Sequence, residues 1–350
     1  MKTSKRHINI PVFIPHLGCP NMCVFCNQRT ISGTTSFDRG SVRALIDESL
    51  TTIPVDAEVE IAFFGGSFTG IDRELMIYLL DTADEYVKSG RVCGIRMSTR
   101  PDYINDEILE ILRRYPVKTV ELGIQSMDDS VLSASRRGHT AAQSEYACRA
   151  IKQSGFELIG QMMIGLPGAS GESEMATARA ICELGAGGAR VYPTVVFRDT
   201  ELCSMAQAGK YDVLDESETV RRTKDVLAVF AECNVPVIRV GLCASENLSD
   251  DNMVWGGANH SAVGELAMGE LYMDIISREL EVSGVRGGRV VISVPRGETS
   301  KAVGQKKKNS ARLRDKFLLC DIKFVEDDKL PTYNVAIKSY IPDRRIDSCT

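Results

Sequence analysis

The chain has 350 residues, 43% hydrophobic and 25% charged, enough to bury a large core in one domain with an appendage or in two domains. Lys and Arg number 42 against 47 Asp and Glu, a net charge of −5, so global charge argues for no polyanionic partner, although local patches can still do so. Eleven cysteines without a secretory leader point to a reducing, cytoplasmic or otherwise intracellular setting, and no apolar run approaches the roughly 20 residues of a membrane span.

Ile8 to Ile14 predicts a first strand, with a cysteine-rich loop leaving its C-terminal end. Asp38 to Leu50 repeats Val42, Leu45, Ile46 and Leu50 at helical spacing, with Asp38 as N-cap. Val59 to Phe64 is a continuous apolar run stopped by Gly65 and Gly66, as a strand covered on both faces should be. A helix follows over about Asp72 to Val87, then a strand over Gly94 to Thr99 and a helix after Tyr103. The alternation continues with a strand at Thr119 to Ile124, a helix at Ala141 to Gln153, and a strand at Leu158 to Ile164. Glu172 to Leu184 is the next helix and Arg190 to Phe197 the sixth strand. This alternation predicts an α/β fold, a parallel sheet curled into a partial (β/α)6 barrel with chemistry at the strand C-termini.

A helix at Glu216 to Cys233 and a strand at Val237 to Val240 close the barrel, expected over residues 1–240. Residues 241–350 are expected to form a small α+β cap. Its parts are a loop at 245–252, an amphipathic helix at Glu265 to Leu280, strands at Val290 to Val294, Leu319 to Val325 and Tyr333 to Lys338, and a helix over about Glu298 to Lys316. The glycine-rich stretch from Trp255 to Glu265 could fold over the barrel mouth, with His260 or Glu265 as acid or base, or could simply be a turn leading into a helix.

The loop after the first strand holds Cys19, Cys23 and Cys26 at a C-x3-C-x2-C spacing. A 4Fe–4S cube is commonly held by four thiolates, so three leave one iron open for another ligand. His16 makes a Cys3His zinc site chemically possible, but structural zinc draws on paired ligands from two loops and no second pair occurs. The remaining cysteines are scattered singly, as small hydrophobes usually are.

The cysteine spacing is the signature of the radical S-adenosylmethionine enzymes, and the chain resembles them at the strand ends too. Phe63-Phe-Gly-Gly-Ser-Phe-Thr looks like that family's second-strand glycine motif, which implies that Gly65, Gly66 and Ser67 receive the methionyl amino group. Met97-Ser-Thr-Arg-Pro resembles a third-strand motif in which relatives carry Glu where Ser98 stands, leaving a hydroxyl to meet the ligand. Gln125 and Arg137 have the spacing of the oxygen-independent coproporphyrinogen dehydrogenase branch, which implies a ribose contact and a carboxylate contact, respectively. Read alone, each suits a solvated or satisfied rim residue. Gln161-Met-Met-Ile-Gly-Leu-Pro-Gly resembles the fifth-strand motif of that branch, with an amide where relatives have aspartate. Phe25, between two of the cysteines, is expected near the adenine. Arg190 to Leu202, ending at Gly209-Lys-Tyr, resembles the Elongator catalytic subunit, a tRNA wobble-uridine enzyme.

That resemblance implies a 4Fe–4S cluster, S-adenosylmethionine cleaved to a 5′-deoxyadenosyl radical, and an external one-electron reductant of flavodoxin or ferredoxin type. It does not extend to acetyl transfer, because the Elongator subunit has a longer gap between its first two cysteines and about 110 residues after the barrel are short for an acetyltransferase domain. Between Arg286 and Lys316 ten Lys or Arg stand against Glu298 and Asp315, a local +8 that could attract tRNA phosphates or form a solvated helix face. The alternatives are a small anionic, tetrapyrrole-like substrate, or a non-catalytic metal-binding adaptor that keeps the barrel.

Overall fold

The computed structural model describes residues 6–14, 19, 23–27, 37–242, 253–258 and 262–343. The loop expected at 245–252, His16 and His260 therefore lie outside the described residues. The chain divides into two compact units, Met1–Leu214 with Val237–Asn259, and Asp215–Pro236 with His260–Thr350. The helix Glu216–Glu232 thus counts with the second unit and the strand after it with the first, whereas the expected division was a single cut at 240.

The first unit is a seven-stranded parallel sheet: β1 (His7–Phe13), β2 (Glu58–Phe64), β3 (Gly94–Thr99), β4 (Val117–Gln125), β5 (Glu157–Ile164) and β6 (Gly188–Pro193) in sequential order, then β8 (Val237–Val240). One face, with Ile10, Val12, Ile61, Ile95, Leu122 and Val191, is buried under helices, each such side chain contributing about 1.5–3 kcal/mol. Close packing there needs Gly160, where an added Cβ would lie 2.5 Å from Ile181 on the helix Gly171–Glu183. Helix starts follow the sequence signals: Asp72 caps Arg73–Lys88 by accepting from the Leu75 N–H, and Thr140 and Gln143 form a capping box on Ala141–Gln153.

The sixth strand is shorter than expected. Thr194 turns the chain out of the sheet, its N–H and Oγ1 both donating to the Ile164 carbonyl at 2.9 and 2.7 Å. The next three residues form β7 (Val195–Phe197), which pairs antiparallel with β9 (Val254–Gly257). Trp255 therefore lies in a strand and is not part of a loop.

In the second unit, β10 (Arg289–Pro295) is central, parallel to β11 (Asp321–Asp327) and antiparallel to β12 (Ala336–Ile341). The helix Val263–Val282 packs Tyr272, Ile276 and Leu280 onto Val290, Ile292, Leu313 and Phe317. Glu265 sits in its first turn. The single helix expected over 298–316 is broken into Thr299–Val303 and Lys308–Phe317, because Gly304, Lys306 and Lys307 all have positive φ. Among the described residues no helix is long and apolar enough to cross a membrane.

Candidate functional site

The cysteine loop is tied to the segments that follow β4 and β7 in the first unit. Val24 donates its N–H to the Ser135 carbonyl at 3.2 Å and accepts from the Leu202 N–H at 2.8 Å. Asn27, 7% exposed, donates Nδ2 to both carboxylate oxygens of Asp199 at 2.6 and 2.7 Å. Phe25 is half-buried against a small cluster of Val24, Val196, Leu202 and Tyr211. Cys23 is buried, Cys19 and Cys26 are half-buried, and none of the three is in a disulfide. Among the described residues no three Cys, His, Asp or Glu side chains form a single-ion site.

Arg137 lies against this loop. Its Nη1 approaches the Cys23 Sγ at 3.6 Å, its Nη2 donates to the Gly123 carbonyl at 2.8 Å, and its buried Nε has no hydrogen-bond partner. Gly123 makes the arrangement possible, because a Cβ there would stand 2.8 Å from the Arg137 Nη2 and 3.2 Å from the Gln125 Nε2. Gln125 ends β4 with φ at 67°, a left-handed conformation rare for a residue with a side chain, and its Oε1 accepts from the Gln161 Nε2 at 3.4 Å. Arg137, Gln125 and Gln161, singled out by their resemblance to family motifs, therefore lie along one edge.

The glycine motif forms the adjoining edge. Gly65 takes φ of 99° where the chain passes the backbone of Ile14, 3.2 Å from where a Cβ would sit, while Gly66 is half-exposed. Ser67 is fully buried with its hydroxyl turned inward to Thr99 Oγ1 at 2.8 Å, and its backbone hydrogen-bonds Cys19. Ser67 thus meets the cysteine loop through main chain, its side chain being committed to the β2–β3 junction. Ser98 is half-buried and opposite Glu121 on the face turned away from the helices.

Three further residues belong to this edge: Arg100 and Asp102, in and just after the third-strand motif but given no role by it, and His139. Arg100, 2% exposed, pairs with Asp102 and donates Nη2 to the Arg137 carbonyl at 2.6 Å. His139 is buried with its Nε2 on the Ile124 carbonyl at 3.3 Å and its Nδ1 4.0 Å from Asp102. Burial first, then the charge of Arg137, holds the His139 pKa down at about 4, so it is neutral at neutral pH. Burial pushes the Cys19 thiol up, with Arg100, Arg137 and the Ser67 backbone pulling the other way.

Below the rim, the same face of the sheet carries a buried line of charge. Glu60 on β2 contacts Arg96 on β3 at 3.1 Å, Arg96 reaches Glu121 on β4 at 3.6 Å, and Arg190 on β6 approaches both oxygens of Glu121 at 2.8 and 3.0 Å. The Nε contacts of Arg96 and Arg190 are charge contacts outside hydrogen-bond alignment. Arg190 also lies over the Phe64 ring and donates to the Tyr192 hydroxyl at 3.4 Å.

An iron–sulfur cluster carrying S-adenosylmethionine fits these residues. Three thiols lie on one loop, and two buried guanidiniums beside them retain unpartnered atoms, Nη1 of Arg100 and Nε of Arg137. Burying such donors unpaired costs about 1–3 kcal/mol each, a cost that an anionic ligand would remove.

Residues 13–181 match the family model of the radical SAM superfamily, and residues 186–273 that of the radical SAM C-terminal domain. The protein MJ0486 of Methanocaldococcus jannaschii is 29% identical over 238 residues, 65% of this chain and 73% of that protein. Human Elongator complex protein 3 is 26% identical over 257 residues, 61% of this chain, and the match spans 47% of that relative's length, about half. The solved structure of Methanocaldococcus infernus Elp3 with residues 1–46 deleted aligns with a TM-score of 0.59 at 20% identity, covering 81% of this chain and 65% of that one, a likeness of fold. The family implies a 4Fe–4S cluster and S-adenosylmethionine. With the two matched regions running in order from the end of β1 through the cysteine loop into the second unit, the chain is an enzyme of the radical S-adenosylmethionine superfamily, similar to Elongator complex protein 3.

Proposed function

We propose that this enzyme holds its cluster on Cys19, Cys23 and Cys26, cleaves S-adenosylmethionine reductively, and modifies tRNA. When bound, the cluster and S-adenosylmethionine supply a carbon radical that takes a hydrogen atom from a substrate C–H bond. Arg137 meets the methionyl carboxylate, the Gly65–Ser67 edge the amino group, and Gln125 with Gln161 the ribose, with Phe25 and Ser98 completing the pocket. A flavodoxin or ferredoxin type protein supplies the electron.

One observation carries the tRNA reading. The segment Arg190 to Leu202, which resembles the Elongator subunit, contributes to the site at both of its ends, Arg190 and Tyr192 to the inner face of the sheet and Asp199 to the cysteine loop. The basic segment of the second unit gives weaker support. Lys308 and Arg312 pair with Glu270, Lys316 with Glu281, Arg296 with Asp328 and Lys301 with Glu298. Between Thr299 and Phe317, Lys306 and Lys307 in the break between the two helices and Arg314 in the second helix make no ion pair among the described residues, so they are the cations left there for phosphates.

The test is anaerobic reconstitution, then dithionite and S-adenosylmethionine. Formation of 5′-deoxyadenosine is expected, and zinc-filled cysteines with no 5′-deoxyadenosine overturn the radical reading. Transfer RNA should bind with an affinity that falls steeply with salt, and the slope should flatten in K306Q/K307Q/R314Q, by about 0.7–0.9 for each phosphate no longer neutralised. Salt-independent binding, or none, overturns the tRNA reading in favour of a small anionic substrate.

A further inference from the structure

Arg100 has no contact assigned to it in the proposed function, yet at 2% exposure it is more enclosed than Arg137 beside it. Its main-chain N–H donates to Ser67 Oγ at 3.3 Å, its Nε and Nη2 donate to the two oxygens of Asp102 at 2.9 Å each, and its Nη2 also donates to the Arg137 carbonyl at 2.6 Å. It therefore joins the end of β2, the end of β3 and the loop that carries Arg137. Its Nη1 is buried without a partner. A guanidinium 2% exposed to water is expensive to bury, and one carboxylate with an unsatisfied N–H is incomplete compensation. Arg100 reaches the cysteine loop through Arg137, whose carbonyl it binds at 2.6 Å and whose Nη1 stands 3.6 Å from the Cys23 Sγ. His139, whose Nδ1 lies 4.0 Å from Asp102, is neutral, and burial first, then the charge of Asp102, raises the Tyr103 hydroxyl and keeps it neutral too, so neither adds charge to the pair.

We propose that the Arg100–Asp102 pair sets the reduction potential of the cluster and positions Arg137, Arg100 favouring the added electron and Asp102 attenuating that effect. The inference rests on the cluster assignment made above. One electron from the external reductant enters the cluster without any bond being made or broken in the protein. A fixed positive charge in a low-dielectric site favours the more negative, reduced state, and a fixed carboxylate opposes it. Through its hydrogen bond to the Arg137 carbonyl Arg100 also holds Arg137 in place, and in that respect is a positioning residue.

The two partners predict shifts of opposite sign. In the reconstituted full-length protein, potentials are read by anaerobic redox titration with electron paramagnetic resonance of the reduced cluster. R100Q should move the midpoint to a more negative value and D102N to a more positive one, and R100K, which keeps the charge, should recover most of the R100Q shift. Binding of S-adenosylmethionine should weaken in R100Q. Shifts of the same sign in R100Q and D102N, or midpoints unmoved in both, overturn the inference, because a merely structural pair would perturb the loop alike from either side. Should R100Q take up no cluster, D102N decides alone: a positive shift supports the proposal, and no shift or a negative one overturns it. A wild type that assembles no 4Fe–4S cluster overturns the cluster reading itself, and is distinguishable because no reduced-cluster signal appears in any sample.

Discussion

Replacing Gly123 by alanine separates the integrity of the site from that of the fold. The new methyl would stand 2.8 Å from Arg137 Nη2 and 3.2 Å from Gln125 Nε2. Both atoms are the ends of long side chains, so the strand can stay in place while the guanidinium retreats by roughly 0.7–1.2 Å to an ordinary separation. That movement breaks the 2.8 Å hydrogen bond from Arg137 to the Gly123 carbonyl and withdraws the arginine from Cys23. The displaced guanidinium would lose its line to the methionyl carboxylate proposed for it, and a charge-assisted hydrogen bond is worth about 1.5–3 kcal/mol, so S-adenosylmethionine should bind about 10- to 100-fold more weakly. The control is Gly160→Ala on the opposite face of the neighbouring strand, where the methyl would stand 2.5 Å from Ile181. Overpacking there should cost about 1–3 kcal/mol in stability. Equilibrium dialysis of S-adenosylmethionine against the reconstituted proteins, with melting curves of the cluster-free forms, gives the comparison. Gly123→Ala is expected to lose affinity and keep its melting temperature, and Gly160→Ala the reverse. Undiminished affinity in Gly123→Ala, or equal melting losses in the two, would refute the reasoning.

Three further outcomes follow from the same geometry. His139 binds a proton near pH 4 when folded but at about 6.5 when unfolded, so its contribution is complete above that value and is lost as pH falls, by about 2 kcal/mol at pH 5. Urea midpoints of the cluster-free protein at pH 7 and pH 5 should converge in His139→Gln, and an equally steep loss in that variant would count against the assignment. Asn27→Ala removes both bonds to Asp199 and should lower iron content on reconstitution while changing the melting temperature of the cluster-free form little; full iron content would show that the loop does not depend on this tie. Glu121→Gln takes the charge from between Arg96 and Arg190 and should destabilise the first unit by about 3–5 kcal/mol, which a melting temperature within a degree of wild type would contradict.

The order of strands and helices was legible in the sequence because the helix-facing side of a parallel sheet is apolar in every strand. The roles expected of Gln125, Arg137 and Gln161 came from resemblance to family motifs, since read alone each looks like a solvated or satisfied rim residue. Arg100, His139, Asn27 and Asp199 were not legible as a group, since their partners are 2 to 172 residues away and nothing in the local pattern marks a charge as buried. The charged line was hidden for a related reason. Val59 to Phe64 was read as a continuous apolar run although Glu60 interrupts it, and Arg96, Glu121 and Arg190 each look like an ordinary polar position when one strand is read at a time. The helix expected over 298–316 failed differently, because Gly304 was legible as a breaker but two successive lysines at positive φ were not. Its local +8 also overstated the free charge, as Glu270 and Glu281 on the helix Val263–Val282 and Asp328 answer four of the ten cations.

The inner face of the sheet holds charge in two unlike arrangements, and their difference accounts for the place of Gly123. In the lower layer Glu60, Arg96, Glu121 and Arg190 alternate in sign across β2, β3, β4 and β6 and sum to zero. Displacing any one of them would leave a neighbour unpaired in a low-dielectric interior, so this layer resists rearrangement and offers little attraction to an added anion. At the rim Asp102 pairs with Arg100, Arg137 meets Cys23 and the Gly123 carbonyl, and both guanidiniums keep unpartnered N–H groups, so negative charge is favoured there. On β4 Glu121 belongs to the lower layer and Gln125 to the rim. Gly123 lies between them opposite Gln161, and only a residue without a side chain lets Arg137 lie back across the strand without touching the paired charges below. A larger residue there would force the rim guanidinium outward, and the cationic edge would lose its register with the cysteine loop while the neutral layer stayed intact.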